Sequence, residues 1–109
     1  MLAIFDEDVI LENYEGMPEV LLIDGLESYC NEGQEYISEL TKADTEDAHR
    51  YAHSLKTMSR MVGALRLGEM CEDYEKNGDQ ASVTRQDIVN HFKEVKIRIE
   101  TYVASLKYA

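Results

Sequence analysis

The sequence predicts an all-α protein, an antiparallel up-and-down four-helix bundle with a short N-terminal helix. Apolar residues recur at alternating three- and four-residue intervals over most of the chain, which is the seam of a bundle helix. No stretch of useful length alternates apolar and polar residues as a strand would, and short turn-forming segments separate the periodic runs. The chain has 109 residues, 44% of them hydrophobic, which predicts one domain spanning 1–109 around one core.

A short first helix is predicted over Asp6–Asn13. Asp6 is a suitable N-cap, acids fill the first turn, and Val9, Ile10 and Leu11 supply apolar contacts. Tyr14-Glu15-Gly16-Met17 breaks it, and Pro18 suits the first position of a second helix that runs to about Lys42. Ile23, Leu26, Cys30, Gly33, Ile37 and Leu40 form the inward seam of that helix, with Gly33 marking a close backbone approach. Asp44 caps a third helix that ends near Gly63. A fourth follows over about Ala64–Lys76, with Leu67, Met70, Cys71 and Tyr74 inward, and Asn77-Gly78-Asp79 closes it. Thr84 and Asp87 resemble a capping box that opens the last helix. Ile88, Phe92, Val95, Ile99, Tyr102 and Leu106 are its inward residues, and His91 is expected at the surface or rim.

The formal net charge of -11 argues against nucleic acid and against anionic membrane surfaces as partners, and favours proteins. Cys30 and Cys71 fall at core-facing positions without a C-x-x-C, which reads as two reduced thiols in a cytoplasmic protein. Residues 1–8 carry neither the basic region nor the apolar run of a signal peptide or membrane anchor.

The third helix has two unlike faces. Ala48, Ala52, Leu55, Ser59 and Val62 form an apolar stripe that faces inward. His49, His53, Lys56 and Arg60 follow the same rhythm on a face outside the core, within an arc of about 60°. A neutral imidazole is a nucleophile at pH 7, and a group of about -2 charge placed on it would find Lys56 and Arg60 as charge-assisted donors. Histidine is a known covalent phosphoryl carrier. No phosphate-binding glycine loop precedes a lysine, so the phosphoryl group would come from a partner and not from ATP. His49 and His53 also form an H-x-x-x-H pair, but Lys56 and Arg60 repel a cation and no third ligand is apparent, so no metal site is assigned.

Ala52-His53-Ser54-Leu55-Lys56, followed by Gly63, Leu67, Cys71 and Glu75, resembles the signature of histidine-containing phosphotransfer (HPt) domains. That signature is an H-x-L-K core, a glycine ten positions after the histidine, then a leucine, a cysteine and an acidic residue at four-residue intervals. Phe5-Asp6 and the long helix before the motif are similar to the family's N-terminal half. The resemblance implies that His53 accepts a phosphoryl group from the receiver domain of a hybrid sensor histidine kinase and passes it to a response regulator. It implies that Lys56 stabilises that group and that Gly63 permits close packing near the site; Arg60, which lies on the same helix face, is expected to share the role of Lys56. His49 and Thr57 would belong to the docking face, which uses the third helix and the adjacent part of the fourth. The carrier would need no cofactor of its own, Mg²⁺ coming from the receiver, and would act as a monomer. Two positions depart from the family pattern: Thr57 stands where glycine or serine is usual, and Arg60 where a small residue is usual. A non-phosphorylated adaptor that binds a receiver or kinase is the alternative reading.

Overall fold

Asp6, Asp44 and Thr84 start three of the helices by one device, a side-chain oxygen that accepts an unpaired backbone N–H of the first turn. Asp6 accepts from Asp8 at 3.0 Å and opens α1, Glu7–Asn13. In the computed structural model, which describes residues 1–108, α2 spans Glu19–Lys42 and α3 spans Thr45–Met61. Asp44 caps α3 by accepting from Asp47 N–H at 2.8 Å. After α4, Leu65–Asn77, one 3-10 turn covers Gly78–Gln80, and α5 runs over Arg85–Lys107. Thr84 and Asp87 complete both halves of the capping box, each bond at 3.0 Å. Pro18 sits one position earlier than expected. Its ψ of 142° is extended, so the helix begins at Glu19 while the Pro18 carbonyl accepts from Leu21 and Leu22.

Helices α2 and α4 each pack on both α3 and α5, and the four enclose one apolar core, with α1 against α3. The all-helical class therefore holds among the described residues. Leu26, Cys30, Ile37 and Leu40 of α2 meet Ala48, Ala52 and Leu55 of α3, Leu67, Cys71 and Tyr74 of α4, and Ile88, Phe92, Val95 and Ile99 of α5. Both cysteines are buried and unbridged. Gly33 lies under Phe92: a Cβ there would stand 2.6 Å from the ring.

Four seam residues are only partly buried. Ile23 and Leu106 lie toward the ends of their helices, Met70 at the edge of α4, and Tyr102 stacks edge-on against Phe5 at 5.5 Å. Tyr29 is buried instead, and its hydroxyl bonds Ser59 Oγ at 2.7 Å, which satisfies two polar groups inside the core. His91 is a further correction. It lies on the flank of α5 that α4 covers, so it is 8% exposed and not a rim residue.

The turn between α3 and α4 positions the site. Gly63 has φ +84°, which favours glycine, and its Cα lies against the Asp6 carbonyl with no room for a side chain. Asp6 N–H donates to Gly63 O at 2.9 Å, and Arg66 N–H to Ala3 O at 3.0 Å. These bonds lay the N-terminal segment across the turn and fix how α4 returns along α3. At the other end Arg85 donates to the Leu40 and Ala43 carbonyls at 2.9 and 2.6 Å, tying the C-terminus of α2 to the start of α5.

Candidate functional site

The return of α4 along α3 brings a carboxylate opposite His53. Leu67 and Cys71 are fully buried on the face of α4 that meets α3, and Glu75 is the next residue on that four-residue rhythm. By Glu75 the stripe has reached the rim of the core, with the side chain 25% exposed. One oxygen of Glu75 is 2.6 Å from His53 Nδ1 and the other is 2.6 Å from Lys56 Nζ. A carboxylate only accepts, so Nδ1 carries the hydrogen and a neutral His53 keeps its lone pair on Nε2. The His53 side chain is 60% exposed, and Nε2 has no hydrogen-bond partner among the described residues. The site is thus a surface imidazole, anchored through one nitrogen and open at the other.

Burial alone would raise the Glu75 carboxyl, but the hydrogen bonds from Lys56 and His53 outweigh it and hold the group below the ordinary carboxylate range. Glu75 therefore stays ionised at neutral pH. The Cys71 thiol beneath it is pushed up to about 12 by burial, so it remains protonated and does not compete as a nucleophile.

The cations differ from the free row that the helix rhythm predicts. Lys56 is 17% exposed and held by Glu75. Arg60 turns to α4, where its guanidinium meets Glu72 at 3.2 Å and its stem lies along Gly68. Each cation is attracted by an acid across the helix pair, which a single-helix projection does not display. His49 is half-buried and faces the end of α4, with its ring 6.2 Å from that of Tyr74 and its Nε2 3.0 Å from where a Gly78 Cβ would be. It packs there, away from the open surface. Among the described residues no three histidine, cysteine or acidic side chains group as metal ligands. Thr57 is exposed one turn beyond His53, and its hydroxyl donates to the His53 carbonyl at 3.3 Å. Gly63 lies ten residues away, about 15 Å along the axis, so its influence on His53 runs through the turn and not through contact.

Glu75 is on α4, not on the α3 face that carries His53, Lys56 and Arg60, so in the sequence only its place in the motif marks it. The signal was present as the continuation of Leu67 and Cys71 toward the face of α3. An apolar neighbour also escaped notice. Met61 follows His53 and Thr57 at four-residue spacing and is 52% exposed. With Met58, Tyr14, Gly25 and Ser28 it borders a shallow hollow of about 130 Å³ between α2 and α3.

These features define a helical module that presents one anchored histidine on its surface. The family model of the Hpt domain matches residues 24–107, which covers α3, α4, α5 and most of α2. The chain belongs to the Hpt domain family. Its members serve histidine phosphotransfer in two-component phosphorelays, as phosphoryl carriers that interact with receiver domains. Comparison with curated proteins and with solved structures gave no match. No described helix is long and apolar enough to cross a membrane.

Proposed function

We propose that His53 is the phosphoryl-carrying residue, accepting from the aspartyl phosphate of a hybrid sensor kinase's receiver domain and donating to the receiver of a response regulator. The observation that carries this reading is the bond between His53 Nδ1 and Glu75. In-line attack forms the Nε2–P bond as the P–O bond to the aspartate breaks and the aspartate leaves as a carboxylate. The ring becomes cationic while Nδ1 keeps its hydrogen, and the ionised Glu75 opposes that new charge. Lys56 has two further N–H donors beside the one on Glu75, and these neutralise the phosphoryl oxygens. Arg60 adds a second cation.

The receiver supplies the aspartate and the Mg²⁺. The carrier has no ATP site, acts as a cytoplasmic monomer, and forms one domain over 1–109 with α2–α5 as an antiparallel up-and-down bundle. Docking uses His53 and Thr57, the adjacent part of α4, and the apolar hollow beside Met58 and Met61. The charge of -11 disfavours nucleic acid and anionic membranes as partners.

Transfer from a phosphorylated receiver domain to wild type and to His53→Gln tests this. Acid-labile, base-stable label on wild type only is the expected result. Binding without label, on folded protein, would replace the carrier by an adaptor.

A further inference from the structure

Arg60 occupies a position where the HPt pattern has a small residue, and three residues of α4 account for where it goes. Gly68 lets its stem lie flat: a Cβ there would stand 2.8 Å from Arg60 Cγ and 3.2 Å from Nε. Glu72 accepts from the guanidinium at 3.2 Å. Lys76 Nζ stands 3.9 Å from the other oxygen of Glu72. Glu72 and Glu75 are three residues apart on α4 and so are neighbours on one face. The guanidinium is therefore held about one helical turn from the carboxylate that anchors the imidazole.

The Arg60–Glu72 pair is open to exchange. The two side chains are 43% and 36% exposed, and an exposed ion pair is weak. If Arg60 leaves, Lys76 remains to neutralise Glu72. A phosphoryl group offers three acceptor oxygens and about twice the charge of a carboxylate, and so competes strongly for a guanidinium. Without the exchange, that dianion would stand on a strongly acidic protein beside Glu72 and Glu75.

Building on the assignment of His53, we infer that Glu72 is a positioning residue for phosphoryl transfer: it holds the Arg60 guanidinium about one turn from the Glu75 carboxylate and releases it to the phosphoryl group, while Lys76 takes its place. Gly68 keeps the path of the Arg60 stem clear in both positions.

The test uses the full chain labelled with ¹⁵N and phosphorylated with phosphoramidate. Nε2 forms the N–P bond as the P–N bond of the donor breaks and ammonia leaves. ³¹P spectra report phosphohistidine, and side-chain ¹⁵N–¹H spectra report the Arg60 guanidinium, assigned by its loss in Arg60→Gln. Phosphorylation is expected to move the Arg60 signal to the position it takes in phosphorylated Glu72→Gln. Arg60→Gln is expected to raise the phosphoryl titration midpoint by about 0.5 pH unit, roughly threefold in proton affinity, and by more in the Glu72→Gln background. An Arg60 signal that stays put while phosphohistidine is present overturns the exchange, as does an Arg60→Gln effect of the same size in both backgrounds. No phosphohistidine in folded wild type, or its persistence in His53→Gln, overturns the assignment of His53 itself and the exchange with it.

Discussion

Glu75 holds His53 through Nδ1 at 2.6 Å, and the same carboxylate holds Lys56 through its second oxygen. One side chain of α4 thereby sets the tautomer of the imidazole and the place of the nearest cation. Glu75→Ala should leave the bundle folded, because Glu75 lies at the rim of the core, and should slow phosphoryl transfer to His53 about tenfold, equivalent to about 1.4 kcal/mol. Single-turnover transfer from a phosphorylated receiver measures it. A rate within twofold of wild type would show that the tautomer does not need this anchor.

Tyr29 and Ser59 form a closed polar pair inside the core at 2.7 Å. Tyr29→Phe leaves the Ser59 hydroxyl short of a partner and should cost about 1–3 kcal/mol. The double variant Tyr29→Phe/Ser59→Ala should cost less than the sum of the single variants. Urea unfolding of the four proteins gives the coupling, and strict additivity would mean the bond contributes nothing.

The glycines of the helices should respond differently to alanine. A Cβ on Gly25 meets no atom within 4 Å, so Gly25→Ala should stabilise by up to ~1 kcal/mol through helix propensity. At Gly33 the Cβ strikes the Phe92 ring, which is 1% exposed and cannot move freely, so Gly33→Ala should destabilise by about 1–3 kcal/mol. Thermal melts of both variants decide it. The expectation fails if Gly33→Ala melts higher than wild type.

His91 makes stability depend on pH. Burial lowers its pKa, Glu94 opposes that and Arg66 adds to it; Asp87, Asn90 and Met70 line the same surface hollow. Its Nε2 has no partner. The unfolded chain therefore binds a proton first as pH falls. Stability is complete above the ordinary histidine range near pH 6.5 and is lost progressively below it. The lowered carboxyls Asp73, Glu75 and Asp79 lose their contribution at lower pH, below about 4. His91→Leu should thus flatten the fall in urea midpoint between pH 7 and pH 5. An unchanged slope would place the proton uptake elsewhere.

The helices, their caps and most of the core were legible because each depends on local chemistry. Asp6, Asp44 and Thr84 cap where their side chains predict, and the Leu26–Cys30–Ile37–Leu40 seam lies inward. What local patterns did not reveal depends on which helix lies opposite. His91 is polar and flanks its own seam, and only the coverage by α4 buries it. Lys56 and Arg60 are surface cations on one helix and ion-paired residues on two. Glu75 illustrates the intermediate case: its spacing from Cys71 was readable, but its partners required the α3–α4 turn at Gly63.

The most direct test of the account is the identity of the phosphorylated nitrogen. With ¹⁵N-labelled histidine, ³¹P–¹⁵N coupling in the phosphorylated protein assigns the bond. Phosphorus on Nε2 of His53, with Nδ1 still protonated and sensitive to Glu75→Ala, is the predicted result. Phosphorus on Nδ1, or on His49 or His91, would contradict it, because Glu75 would then be anchoring a ring that does not carry the group.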